Sequence, residues 1–165
     1  MNEILLDGLN KQINKELYSA YLYFGMSTYF LEINMEGFAK KIKEQAKEEI
    51  DHAKKIYNYL LTRDEKISLF QIEAPDMNWI NPIDAIKGAL AHEKNVSKSI
   101  EELYKISKET NDYATEVFLQ WFVFEQIEEE DKFRKLLDKM KSTETCDCEI
   151  IHIDRDLRFD KEYIE

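Results

Sequence analysis

The chain is poor in the residues that make turns and cross-links: among 165 residues there are four glycines, two prolines and two cysteines. A sheet of many strands needs a turn after each one, drawn largely from glycine and proline, so this scarcity excludes most all-β designs and favours a few long helices. The cysteines are Cys146 and Cys148. A C-x-C pair closes on itself only with strain, and no further residues at suitable spacing complete a zinc set, so both are read as reduced thiols without a function. Basic residues are also in deficit, 23 against 34 acidic, for a net charge of -11. That excludes the basic face a nucleic acid would require, and it leaves a surface that attracts cations. No apolar run approaches the ~18 residues of a membrane span, and Met1 to Ile4 shows neither a basic start nor a small-residue cleavage site. The expectation is a cytoplasmic protein with no membrane partner. What is present is 44% hydrophobic residues, enough for one sizeable core, with no low-complexity segment and no solenoid repeat.

Four stretches carry apolar residues at alternating steps of three and four, the mark of a helix with one buried face. In the second of them, Phe38, Ile42, Gln45, Glu49, His52, Ile56 and Tyr59 form the stripe. Glu49 and His52 therefore face the core, one turn apart. A carboxylate there costs several kcal/mol unless it is paired or binds metal. The first stripe, Leu9, Ile13, Glu16, Ala20, Tyr23 and Ser27, includes Glu16. The third, Ile86, Leu90, Glu93, Ser97, Ile100 and Tyr104, includes Glu93, and the fourth, Phe122, Gln126, Glu129, Phe133, Leu136 and Met140, includes Gln126 and Glu129. Each polar group stands near the middle of its helix, where up-and-down packing brings all four to one level. A Glu-x-x-His pair with carboxylates from the facing helices is how helix bundles hold two metal ions.

The boundaries follow in chain order. The first helix is expected over about 3–33, with Asn34 to Gly37 as the turn and Gly37 supplying its backbone freedom. The half from Tyr18 to Leu31 is apolar nearly all round, which predicts burial on more than one side, by the bundle and by another subunit. The second helix is expected over about 38–62. A long link, 63–81, must then carry the chain back along the bundle, since helices of ~25 residues are ~38 Å long. Asn81 and Pro82 open a third helix as cap and first residue, and Thr110, Asn111 and Asp112 lead into a fourth that ends near Lys141. The expected fold is all-α: a four-helix bundle over 1–145 with a long crossover between helices two and three, and a short C-terminal helix or tail over 146–165.

At this point the chain resembles a bacterial non-haem ferritin over nearly its whole length. The carriers are Glu48-Glu49-x-x-His52, His92-Glu93, and the run from Phe118 through Gln120-Trp121-Phe122 to Glu128-Glu129-Glu130. The resemblance implies a ferroxidase and iron store: a twenty-four-subunit homo-oligomeric cage that oxidises ferrous iron with dioxygen at a di-iron centre inside each subunit and keeps ferric mineral in its cavity. It implies Glu16, Glu49 and His52 on the first iron, with Glu49 bridging, Glu93 and Glu129 on the second, and Gln126 near enough to hydrogen-bond oxygen. It further implies Tyr23 and Trp121 beside the centre, and a third iron site at Glu48, Glu125 and Glu128. Haem is not expected, because Ile50 replaces the haem-binding methionine of bacterioferritin and Gln126-x-x-Glu129 replaces its second Glu-x-x-His. His92 lies off the inner stripe and His152 is read as a surface histidine.

Two other functions share this constellation. One is a mainly structural or binding shell whose core acids hold another divalent metal, such as zinc or manganese, without redox chemistry. The other is a small di-iron oxygenase or peroxidase, which would need an access pocket for an organic substrate.

Overall fold

In this computed structural model, residues 1–141 and 147–159 are described, with side chains from residue 150 onward in the second stretch. Cys146 and the side chain of Cys148 lie outside the described residues. Five helices account for nearly all of the fold: α1 (Glu3–Glu32), α2 (Glu36–Thr62), α3 (Pro82–Glu109), α4 (Tyr113–Lys141) and α5 (Asp147–Phe159). The short C-terminal helix expected from the sequence is therefore formed.

Helices α1 and α2 make one antiparallel hairpin and α3 and α4 the other, and the crossover between them climbs the outside of α1. Near its start the Asn10 side chain donates to the Lys66 carbonyl at 3.1 Å and accepts from the Ser68 N–H at 2.7 Å. Asn14 holds the Gln71 carbonyl at 3.2 Å. Higher up, Met77 lies against Gly25 and Trp79 packs on Tyr29. An irregular segment of this length carries many backbone polar groups that no ladder satisfies, and the asparagines of α1 answer several of them. At the base, Arg63 makes a two-pronged ion pair with Asp112, at 3.0 and 3.1 Å, fastening the end of α2 to the turn before α4.

The helix ends correct one expectation. Gly37 does not make the first turn; it lies inside α2, and no glycine has a positive φ. The left-handed positions are Asn34, Asp64 and Asn111, with φ of 60°, 55° and 54°. Each closes its helix with the same paired bonds, for example Met35 N–H to Phe30 carbonyl at 2.8 Å and Asn34 N–H to Leu31 carbonyl at 3.0 Å. Asparagine and aspartate are the side chains that tolerate this geometry best after glycine, so a glycine-poor chain ends its helices with them. Gly37 is needed for a different reason: a Cβ there would stand 1.8 Å from the carbonyl oxygen of Asp154 in α5. The start of α2 has no capping side chain of its own at Met35. Asp154 supplies one from across the fold, accepting from the N–H groups of Gly37 and Phe38 at 2.8 and 3.0 Å.

The bundle interior is two apolar bodies with a polar floor between them. The upper one joins Tyr23, Met26, Phe30, Phe38, Ile42, Ile86, Phe133 and Met140, and α5 adds Ile153. The lower one joins Leu5, Leu9, Ile13, Ile56, Leu60, Ile100, Leu103, Leu119 and Phe122. On α4 the buried stripe runs through Leu137 rather than Leu136, which is half-buried. Each fully buried side chain of this size contributes ~1.5–3 kcal/mol. In each of α1 to α4 the break between the two bodies falls at the acidic residue picked out by periodicity.

Candidate metal centre

Glu16, Glu49, Glu93 and Glu129 are all buried to within 1% of full exclusion, and His52 and Gln126 nearly so. Helix periodicity alone aims them inward, because each occupies the same register position as the leucines and phenylalanines one turn away. The tightest group is Glu16, Glu49 and His52, whose ligand atoms lie within 4.8 Å of one another. Among the described residues it is the one such cluster of carboxylates and histidines.

The bonds around that group leave a gap of a particular kind. Glu16 Oε1 accepts from Gln12 Nε2 at 2.8 Å, and Gln12 in turn accepts from the Ser99 hydroxyl at 2.6 Å. Glu49 Oε1 accepts from Gln45 Nε2 at 3.0 Å, while its Oε2 is 3.4 Å from His52 Nδ1. Glu16 Oε2 and His52 Nδ1 have no hydrogen-bond partner, although both are sealed from solvent. Each such orphan costs roughly 1–3 kcal/mol, and native interiors contain few of them. Two in one cluster of metal-ligating groups is the pattern of a site whose missing partner is a cation.

The second half is occupied by donors. Glu93 accepts from the Tyr23 hydroxyl at Oε1 and from Gln126 Nε2 at Oε2, the latter at 3.1 Å. Glu129 Oε2 accepts from Gln45 Nε2 at 2.6 Å and its Oε1 from Lys132 Nζ at 2.8 Å. Gln45 thus bridges Glu49 and Glu129 with one amide.

Crowding four buried carboxyls changes their chemistry. Burial, and then the charge of Glu49, pushes Glu16 up to about 8 from an ordinary 4.5. Glu93 is raised by burial to about 7. Glu49 is raised well above its ordinary value by burial and then by Glu93, and Glu129 is raised by burial against the opposing pull of Lys132. Burial and the charge of Glu93 likewise hold Tyr23 as the neutral phenol. Without metal the site stores protons in place of positive charge. A divalent cation would displace them.

The remaining expected residues are placed less centrally. Tyr23 stacks on Phe133 and reaches the Glu93 half of the centre. Trp121 is 37% exposed, meets the His52 ring edge-on at 5.5 Å and carries Lys55 over its face. Glu48, Glu125 and Glu128 do not converge. Glu48 is paired with Lys132 at 3.4 Å and Glu125 stands 4.0 Å from His52 Nε2. Glu128 is exposed and lines a surface pocket that Ser97 and Arg134 also line. His92 is half-buried, shares a 2.7 Å hydrogen bond with Ser19, and is held neutral by burial, its value lowered to about 4. His152 is exposed. Three residues that hold the site were not singled out from the sequence: Gln12, Gln45 and Lys132. The glutamines had a readable signal, each one turn before an inward glutamate.

A family model described as a ferritin-like domain matches residues 6–143. The chain is 41% identical over 133 residues to the bacterial non-heme ferritin of Campylobacter jejuni subsp. jejuni, covering 81% of this chain and 80% of that protein. It is 38% identical over 138 residues to the corresponding protein of Staphylococcus epidermidis, covering 84% and 83%. The fold superposes on the open pore ferritin of the hyperthermophilic archaeon Archaeoglobus fulgidus with a TM-score of 0.95 at 35% identity, covering 98% of this chain and 99% of that one. With this likeness and the buried acidic centre together, the chain belongs to the ferritin family of iron-storage proteins.

Proposed function

We propose that this chain is a ferroxidase whose substrate is ferrous iron and whose oxidant is dioxygen, and that it assembles into a twenty-four-subunit cage in the cytoplasm and stores the ferric product. The observation that carries the reading is the pair of unpartnered buried atoms, Glu16 Oε2 and His52 Nδ1, within one cluster of ligands. Glu16, Glu49 and His52 would hold the first ferrous ion, and Glu49 is the carboxylate that also reaches toward Glu129 through Gln45. Glu93 and Glu129 would take the second. Carboxylate oxygens and one imidazole suit iron in both oxidation states.

The chain's own residues prepare this chemistry in three ways. Gln12 and Gln45 each fix one oxygen of a ligand carboxylate, so the other oxygen points at the metal rather than rotating away. The raised carboxyls release their protons as iron enters, which keeps the net charge of the buried centre near that of the metal-free state. Tyr23 and Gln126 hold Glu93 from opposite oxygens, and the Gln126 amide also donates to the Glu93 carbonyl and the Ser97 hydroxyl, at 3.3 and 3.5 Å. Bound iron supplies the electrons, one from each ferrous ion, and dioxygen receives them.

The exposed apolar side chains of α1, Tyr21, Phe24 and Leu31, support burial against another copy of the chain. The test is oxidation of ferrous iron by Glu49→Ala and His52→Ala variants whose assembly is checked by size-exclusion chromatography. We expect an intact assembly that oxidises iron no faster than protein-free buffer. Wild-type rates in both variants would place the oxidation elsewhere, and a wild-type chain that stays monomeric would remove the cage.

A further inference from the structure

Among the described residues, Lys132 is the one cationic side chain set directly on the carboxylates of the centre. It stands one turn after Glu129 on α4, half-buried, with Nζ 2.8 Å from Glu129 Oε1 and 3.4 Å from Glu48 Oε2 on α2. Glu48 and Glu129 would otherwise face each other as like charges. Glu129 has no oxygen left over, since Gln45 takes the other one. By contrast, the Glu16, Glu49 and His52 half contains the two unpartnered atoms and no cationic side chain in hydrogen-bond contact. The two halves of the centre are thus unequal before any metal arrives: one is open and the other is already neutralised.

Resting on the reading of Glu129 as a metal ligand, we propose that Lys132 is a tethered cation that holds Glu129 Oε1 against Glu48, so that the second ion, shared by Glu93 and Glu129, reaches Glu129 only by displacing its ammonium. Lys132 is a positioning residue in this role. The exchange is of charge alone: a divalent ion arrives, the ammonium swings toward solvent on its flexible stem, and no bond is made or broken in the chain. The consequence is ordered loading. The Glu16, Glu49 and His52 half fills first and Glu129 follows. The same lysine keeps Glu48 from serving a third ion as long as it stays in place.

The test uses cobalt(II), which cannot be oxidised by simple mixing and reports its coordination by visible absorption. Metal-free assembled protein is titrated as wild type, Lys132→Gln and Lys132→Arg. Wild type should show one tight class and one weaker class of sites. In Lys132→Gln the weaker class should tighten roughly tenfold or more, the scale of one partly solvated charge contact, while the tight class stays where it was. Lys132→Arg, which keeps the charge, should restore the wild-type separation. An unchanged isotherm in Lys132→Gln, with the tight class intact, would overturn the role of Lys132 and leave the centre standing. Absence of any tight class in wild type would overturn the centre and with it the lysine's place there.

Discussion

Replacing Glu16 by glutamine should make the metal-free protein more stable while abolishing its tightest metal site. The side chain is fully buried, and its carboxyl is raised from 4.5 to about 8. At pH 7 the folded chain therefore keeps a proton that the unfolded chain has released, at a cost of up to ~3.5 kcal/mol at ~1.4 kcal/mol per pH unit. Because the folded value is the higher one, stability is greatest below about pH 4.5, falls as pH rises towards 8, and is level above that. Glutamine has nearly the same shape, can still accept from Gln12 and can donate to Glu49. It removes the pH-dependent cost. Allowing for readjustment of Glu49, the gain at pH 7 should be about 1–3 kcal/mol, or roughly 3–8 °C in Tm, and well under 1 kcal/mol at pH 5. The assay is thermal denaturation of chelator-treated protein at both pH values, repeated with zinc. Wild type should be stabilised by zinc and the variant much less so. A variant less stable than wild type at both pH values, or equally stabilised at both, would refute the account of the buried carboxyl.

Other expectations follow from the frame. Gly37→Ala would drive a methyl into the Asp154 carbonyl, so α5 should undock, seen as faster amide exchange confined to α5 and the first turn of α2, at a cost of about 1–3 kcal/mol. Asn34→Gly should be neutral or slightly stabilising in chemical denaturation, whereas Asn34→Val should cost more than ~1 kcal/mol, because φ at this position is 60°. Arg63→Met leaves the Asp112 carboxylate without its two-pronged partner. Since the pair is partly exposed, the loss should be only about 1–2 kcal/mol, and 1 M salt should shrink the difference from wild type.

The bundle was legible because helical periodicity is a local property. Glu16, Glu49, Glu93 and Glu129 each interrupt an apolar stripe, and no structure is needed to see a carboxylate among leucines. The crossover was legible from its length and from Asn81-Pro82. What was not legible came from contacts between distant parts of the chain. Gly37 looked like a turn residue because it follows a helix end, and only the approach of Asp154, 117 residues away, shows what it is for. Gln45 stood on the inner stripe but carried no charge to mark it. Its bridge from Glu49 to Glu129 depends on how two helices face each other. Lys132 reads in sequence as one more solvated lysine among acids, and only its height in the bundle brings it to Glu129. The expected third set, Glu48, Glu125 and Glu128, rested on likeness; in the structure Glu48 is paired with Lys132 and Glu125 stands 4.0 Å from His52 Nε2.

The central claim is that the polar floor of the bundle is a paired site that oxidises iron. The most direct measurement is to load metal-free protein anaerobically with increasing ferrous iron, mix it rapidly with oxygenated buffer, and follow oxygen uptake with ferric absorbance. The account predicts a fast phase whose amplitude grows with iron and saturates at about two per chain, with slower oxidation beyond that point. Oxidation at the rate of protein-free buffer, with no saturable phase, would contradict it.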